Sequence, residues 1–331
     1  MRDPGFRGPR FGFRRPPPGV AAPYRILIGR RWLVSGMLLA LTSAAGLLAL
    51  PRRHLARALG LLVASSVSAG VLALIEGVRG ALYPELKHVD LPIDDLPAPL
   101  EGFTIGQLSD LHLGMPFTRR AVPSAIAALL AEQPSLLVLT GDYISFYRHL
   151  RLLPPLLRSL SAPHGVYAIF GNHDHWTDLR AVARVLREAG ITVLLNEHRV
   201  LTVEGARLVL AGVDDLWGGA PDLAAALDGA PVDVPIILLA HSPDYAAEAS
   251  QSPVAVQLAG HTHAGHIRLP WLGPLFLPRY GLHYDRGMHR VGQMLLYVSH
   301  GLGGLPIRFG SRAEVTVLTL RRREQAMGTE A

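Results

Sequence analysis

The chain has 331 residues, of which 49% are hydrophobic and 18% charged, and a formal net charge of +6. It contains no cysteine, which excludes disulfide frameworks and thiolate metal sites. The excess charge is local: residues 1–31 hold eight Arg against the single acid Asp3, a net of +7, so the rest of the chain carries −1 and offers no basic stripe for nucleic acid.

Rich in Arg, Pro and Gly, residues 1–31 cannot bury a core and are expected to form a disordered tail. Trp32 to Leu50 follow without a charge and are long enough to cross a hydrocarbon core of roughly 30 Å as a helix. After Pro51, Arg52, Arg53, His54 and Arg57 comes a second uncharged stretch, Ala58 to Ile75. Ser65, Ser66 and Ser68 weaken its preference for lipid, so a buried helix competes with a second span. Two crossings would set the tail and the remaining chain on one side of a cell membrane. Eight Arg before the first span outnumber three between the spans, which points to the cytoplasmic side. The rival is a twin-arginine export signal at Arg30-Arg31; its late start, the second apolar stretch and the lack of an Ala-x-Ala site argue against it.

Residues 81–100 read as a linker bearing Pro and Asp, 101–321 as the folded domain and 322–331 as a second disordered tail. Within the domain, strand-like runs occur at 103–108, 135–139, 166–170, 191–195, 200–203, 208–213, 235–239, 254–258, 295–299 and 315–320. Helical stretches fall at 119–132, 149–160, 177–189 and 222–227, with Pro154-Pro155 interrupting the second. The alternation is that of an α/β fold with mixed strand pairing.

Five of these runs end in residues that carry chemistry. They are followed by Asp110-x-His112, Gly141-Asp142, Gly171-Asn172-His173-Asp174, His241 and Gly260-His261-Thr262-His263. Loops beyond the carboxyl ends of strands converge on one crevice in an open α/β sheet, so segments far apart in sequence can meet. Asp110, His112, Asp142, Asn172, His241, His261 and His263 together offer carboxylate, amide and imidazole donors. That set suits two divalent cations roughly 3.5 to 4 Å apart, with one carboxylate bridging them. Manganese, iron or zinc fit such donors better than copper(I) or an iron–sulfur cluster. Gly-Asn-His-Asp alone should arise by chance in roughly one chain per thousand or fewer.

The ordered set Asp110/His112, Asp142, Asn172/His173, His241 and His261/His263 resembles the calcineurin-like metallophosphoesterase superfamily, over about 102–320. Ser109 to Gly114, Tyr297 to Gly303 and Pro306-Ile307-Arg308 are similar to its membrane-associated bacterial branch, some members of which are UDP-2,3-diacylglucosamine pyrophosphatases. The resemblance implies two facing mixed β-sheets flanked by helices. It also implies one metal held by Asp110, His112, Asp142 and His263, and another by Asp142, Asn172, His241 and His261. His266 and His300 stand where that branch often has Gln and Arg, so no substrate role carries over to them.

Cations in such a site outweigh its carboxylates, attract a phosphate oxyanion and activate water for in-line attack on phosphorus. His173, beside Asn172, is expected at the rim, where its imidazole can protonate the leaving oxygen. Asp174 is expected either to orient that imidazole or to start a helix before Trp176. Between His266 and His289, Trp271, Leu272, Leu275, Phe276, Leu277, Tyr280 and Tyr284 read as a lipid-facing lip or as side chains packed under a surface loop. Arg268, Arg279 and Arg308 are candidates to meet a second phosphate or a headgroup. The expected activity is hydrolysis of a phosphodiester or pyrophosphate bond, in a lipid or nucleotide-sugar substrate at a membrane. The alternatives are a phosphodiesterase or monoesterase acting on soluble nucleotides, and a non-enzymatic metal-binding membrane protein.

Overall fold

Strand β3 (Leu136–Leu139) is buried at every position, yet its side chains alternate between two cores. Leu136 and Val138 face one, Leu137 and Leu139 the other. That period of two is what a strand covered on both faces must show, and it recurs through two sheets. The computed structural model describes residues 24–26 and 51–323. The expected first span at 32–50, and the expected tails apart from 24–26, 322 and 323, lie outside the described residues.

One six-stranded sheet runs in the order β1 (Glu85–Ile93), β12 (Glu314–Arg322), β2 (Thr104–Leu108), β3, β4 (Val166–Ala168), β5 (Thr192–Val193). Its pairings are parallel except β12 with β2. The second sheet runs β10 (Gly287–Val291), β11 (Met294–Val298), β9 (Val256–Ala259), β8 (Ile236–Leu239), β7 (Ala206–Gly212), β6 (Glu197–Val203). It is antiparallel at its two outer pairs and parallel between them.

The sheets face each other across an apolar layer in which Ile105, Leu136, Val138 and Leu318 meet Leu210, Ile237, Leu258 and Tyr297. Helices α2 (Thr118–Ala131), α3 (Leu153–Leu157) and α5 (Leu179–Glu188) cover the outside of the first sheet through Val122, Ile126, Leu153, Leu157, Val182 and Leu186. Against the second lie α6 (Leu223–Leu227) and α7 (Ala246–Ala249), with Leu223, Ala226, Ala246 and Ala249. Two facing mixed sheets flanked by helices is the architecture the resemblance implied.

Residues 81–100, expected as a linker, include β1. Asp90 and Pro92 disguised it, but β1 is an edge strand, where a proline removes no ladder bond that the sheet needs. β12 pairs with its full length, from Glu314 against Glu85 to Arg322 against Ile93. The expected helix at 149–160 divides at its prolines into a 3-10 turn, Tyr147–Leu152, and α3. That at 177–189 begins two residues later, at Leu179, because Asp178 caps α5, accepting the N–H of Ala181 at 3.0 Å.

Before the sheets stands α1 (Arg52–Leu82), 31 residues long. The stretch 58–75 lies within it and is not buried: Leu61, Val63, Val67, Leu72 and Leu74 all point into open space. Ala56–Leu82 is long and apolar enough to cross a membrane, with a mean hydropathy of 2.2. Its last turns rest on residues 307–313. Arg308 donates its backbone N–H to the carbonyl of Gly77 at 2.7 Å and Ala313 to that of Gly80 at 2.9 Å. A side chain at Gly80 would collide with the carbonyl of Arg308, so only glycine allows this approach.

Candidate metal centre

Every motif expected at a strand end arrives at one crevice. Asp110 and His112 follow β2, Asp142 follows β3, Asn172 opens the short helix α4 (Asn172–Thr177) after β4, His241 follows β8, and His261 and His263 follow β9. The loops lock to one another through their backbones. Asp110 N–H donates to the carbonyl of Gly141, His112 N–H to that of Asp142 and Gly260 N–H to that of His241, each at 3.0 Å. The glycines of the motifs make this possible: a side chain at Gly141, whose φ is +94°, would overlap the backbone of Gly171.

Asp110, His112, Asp142, His261 and His263 all have positive φ, between +39° and +72°. A left-handed backbone costs a non-glycine residue about 1 kcal/mol or more, so five together mark a place where geometry is held against local preference.

Ligand-type atoms lie within 4.8 Å of one another in three groups: Asp110, His112 and His263; Asp142, His241 and His261; and His112, Asp142 and His173. Asp142 Oδ2 stands 3.5 Å from His112 Nε2 and 3.3 Å from His241 Nε2, between the first two groups. The outward ring nitrogens are committed elsewhere. His241 Nδ1 donates to the carbonyl of Thr140 at 2.6 Å and His261 Nε2 to that of Arg279 at 2.7 Å, while His112 Nδ1 meets Ser145 Oγ at 2.8 Å. A carbonyl can only accept, so on His241 and His261 the outer nitrogen carries a hydrogen. His241 Nε2 and His261 Nδ1 then face each other at 3.2 Å, and His112 Nε2 and His263 Nε2 at 3.3 Å. At that distance each pair needs a proton or a metal cation between its nitrogens. Asn172 Oδ1 is buried without a hydrogen-bond partner. Donor type and this orphaned oxygen fit divalent cations.

The charges of the bare chain tell the same story. Burial pushes the Asp110 carboxyl up to about 6, against the pull of His241. Burial opposes the charge of Asp142 too, but His241 and His173 hold it well below the usual carboxylate range. His241 is raised well above its ordinary value because Asp142 overcomes the burial. Burial drives His112 down to about 3 and His261 to about 4.

His173 is half-buried at the rim, its ring edge-on to that of His112 with centroids 4.7 Å apart. Its backbone N–H donates to Asp142 Oδ1 at 2.8 Å. Asp174 does not reach the His173 ring. Its carboxylate accepts the backbone N–H groups of Asp142, Tyr143 and Gly171 at 2.8, 3.0 and 2.9 Å, so it fastens two loops instead of orienting an imidazole.

Arg268 pairs with Asp285 at 2.5 Å and the Arg279 guanidinium lies over the Tyr280 ring. Arg308, only 1% exposed, gives its guanidinium to the carbonyls of His300, Gly301 and Gly303, which removes it as a candidate for a free phosphate. His266 stacks on His263 with centroids 4.6 Å apart, and His300 is held by Glu314 and the carbonyl of Arg312. The 266–289 loop divides its side chains: Leu277 is buried, Tyr284 packs against the second sheet, and Trp271 is 90% exposed.

Sequence reasoning missed a polar relay behind Asp110. Gln107 Nε2 donates to Thr140 Oγ1, Thr140 Oγ1 to Ser109 Oγ and Ser109 Oγ to Asp110 Oδ2, at 3.1, 2.7 and 2.5 Å. A glutamine among apolar strand residues was the one visible sign of it.

The family model for calcineurin-like phosphoesterases matches residues 103–265, which hold all seven candidate ligands. The chain is 38% identical over 268 residues to an uncharacterized metallophosphoesterase, YkuE, of Bacillus subtilis, covering 77% of this chain and 94% of that one. This chain belongs to the calcineurin-like phosphoesterase family. It is also 30% identical over 275 residues to phosphodiesterase YaeI of Escherichia coli, covering 81% of this chain and 98% of that one. With a transmembrane protein with metallophosphoesterase domain from Danio rerio it shares 33% identity over 278 residues, 78% of this chain and 62% of the other. Membership makes the protein a metal-dependent phosphoester hydrolase, and the crevice just described is where the family match and the candidate ligands coincide.

Proposed function

We propose that this protein is a membrane-anchored, dinuclear phosphoesterase that cleaves a phosphodiester or pyrophosphate bond in a lipid or nucleotide-sugar substrate. The observation that carries the metal count is the pair of three-residue groups, Asp110, His112 and His263 beside Asp142, His241 and His261, with Asp142 Oδ2 within 3.5 Å of a ring nitrogen in each. Asp110, His112, Asp142 and His263 would hold one cation, and Asp142, Asn172, His241 and His261 the other. Bound cations of this kind activate water and neutralise charge on the phosphoryl oxygens.

The chain's own groups do the rest. Asp110 is aimed by the relay from Gln107 and by the backbone N–H of His261, which donates to it at about 3.0 Å. His173 stands at the rim beside Asp142, free to hold a proton for the departing oxygen. Anchoring is supported by the exposed apolar run of α1 and by the printed name of the Danio rerio relative. With residues 32–50 as a first crossing ahead of α1, the Arg-rich residues 1–31 support a cytoplasmic catalytic domain.

The test is elemental analysis of manganese-, iron- or zinc-loaded protein, joined to assays with bis-p-nitrophenyl phosphate, p-nitrophenyl phosphate, a UDP-sugar and its acylated form. Two ions per chain and hydrolysis of the diester or pyrophosphate substrates are expected. Fewer than two ions in folded, loaded protein, or no turnover of any of the four, would end the proposal. A reporter fused at Ala331 that works only outside the cytoplasm would reverse the topology.

A further inference from the structure

The rim of the crevice beside His173 carries an aromatic notch that metal binding does not account for. His173 and Trp176 lie three residues apart on α4, hence on one face of it, with ring centroids 4.9 Å apart. Trp176 meets Trp217 edge to face at 4.8 Å, and Trp217 stands 5.9 Å from the ring of His261 and 6.5 Å from Tyr280. Trp176 keeps 51% of its surface in solvent. So large an apolar ring beside a polar, charged crevice gains nothing from water.

The loop that presents Trp217 is built for the purpose. Asp215 is fully buried, and its Oδ2 accepts the backbone N–H of Trp217 at 2.8 Å and of Gly218 at 2.5 Å. Asp214 Oδ1 accepts from His175 Nε2 at 2.6 Å, and Asp214 Oδ2 accepts the N–H of Ala220 at 2.9 Å. A side chain at Gly218 would overlap His175, and one at Gly219 would overlap Asp214. Two carboxylates, a histidine and two glycines therefore fix the position of one tryptophan next to His261, and α4 sets the other beside His173.

We propose that Trp176 and Trp217 form a stacking subsite for a planar ring carried by the leaving group of the phosphoester. The idea rests on the phosphoesterase reading for the word leaving, since the notch adjoins the imidazole assigned to the departing oxygen. The chemistry it recognises is a π face attached to phosphate through a short link, which a nucleobase or an aryl group supplies. Stacking of a base on an aromatic side chain is worth roughly tenfold or more in affinity.

The full chain, metal-loaded, would be titrated with phenyl phosphate, cyclohexyl phosphate and uridine 5′-monophosphate. Tryptophan fluorescence and competition against bis-p-nitrophenyl phosphate are read together. Phenyl and cyclohexyl phosphate share charge and ring size and differ in the π face. The expected result is about tenfold tighter binding of phenyl than of cyclohexyl phosphate, a preference lost in Trp176→Ala and restored in Trp176→Phe. Tighter binding of uridine 5′-monophosphate than of phenyl phosphate assigns the ring to a nucleobase; the reverse assigns it to an aryl group. Equal affinity for the phenyl and cyclohexyl compounds, or a preference that survives both Trp176→Ala and Trp217→Ala, overturns the subsite. Because Trp176 is half exposed, its removal leaves the fold in place. The fluorescence titration needs no turnover. Absence of hydrolysis would therefore sink the phosphoesterase reading while the titration still decided the subsite.

Discussion

The carboxylate of Asp174 accepts the backbone N–H of Asp142 at 2.8 Å, and so ties the turn that carries His173 to the loop that carries the central carboxylate of the crevice. Asp174→Ala would leave the N–H groups of Gly171, Asp142 and Tyr143 buried without an acceptor. Each costs about 1–3 kcal/mol. The variant should lose about 3 kcal/mol or more in urea denaturation, and its metal content should fall with its stability. Unchanged stability would show that these three bonds are not what holds the loops together.

His173→Ala should behave in the opposite way. The side chain lies at the rim, and the hydrogen bond that ties this turn to Asp142 comes from the backbone of His173 and survives its removal. Turnover should fall by about 10²- to 10⁴-fold, the usual effect of losing a general acid, with metal content unchanged by elemental analysis. A parallel fall of both would remove His173 from proton transfer.

The His175–Asp214 pair should make stability depend on pH. Burial disfavours the charge on His175, but the hydrogen bond it donates to Asp214 raises its pKa above the ordinary value of 6.5. Burial likewise acts against Asp214, and His175 holds it below 3.8. The raised histidine stabilises the fold fully below pH 6.5 and ceases to as pH rises through its folded pKa. The depressed aspartate stabilises it above pH 3.8 and ceases to as pH falls through its own. The deficit of Asp214→Asn relative to the parent should therefore be greatest between about pH 4 and 6.5, about 1 kcal/mol or 2–4 °C in Tm, and should shrink above that window. A deficit independent of pH from 5 to 9 would contradict the ionic origin of the bond.

Gly80→Val tests the seat of α1. The added side chain would press on the carbonyl of Arg308, a backbone atom that cannot swing aside. Overpacking of this kind costs about 1–3 kcal/mol. Thermal denaturation in detergent should show the loss, and Gly60→Val, where nothing lies within 4 Å, should show little of it. Equal effects at the two positions would mean that helix propensity, not the contact, decides.

Much of this was legible because the candidate ligands sit at strand ends, and buried strands announce themselves as short apolar runs. The runs before Asp110, Asp142, Asn172, His241 and His261 all became strands or the residues bordering them. β1 escaped because proline and aspartate are tolerated on a sheet edge, which sequence cannot distinguish from a linker. Arg308 stood among three candidates for a phosphate or headgroup because a guanidinium looks the same in sequence whether it meets an anion or three carbonyls. Asp174 split between two roles for a like reason. Asp215 and Trp217 gave no signal at all, since an acid before a tryptophan in a loop is common, and only folding brings that loop against α4.

The grip of Ile307, Arg308 and Ala313 on α1 begins at Gly77, two residues past the end of the apolar run 58–75. With that run in a bilayer, no slack leash separates the crevice from the lipid surface, and Arg308 links the helix seat to the carbonyls beside His263. The enzyme would then sample only a thin slab of solution at a fixed height above the headgroups. Reach, as much as chemistry, would select which phosphorus atoms it can touch.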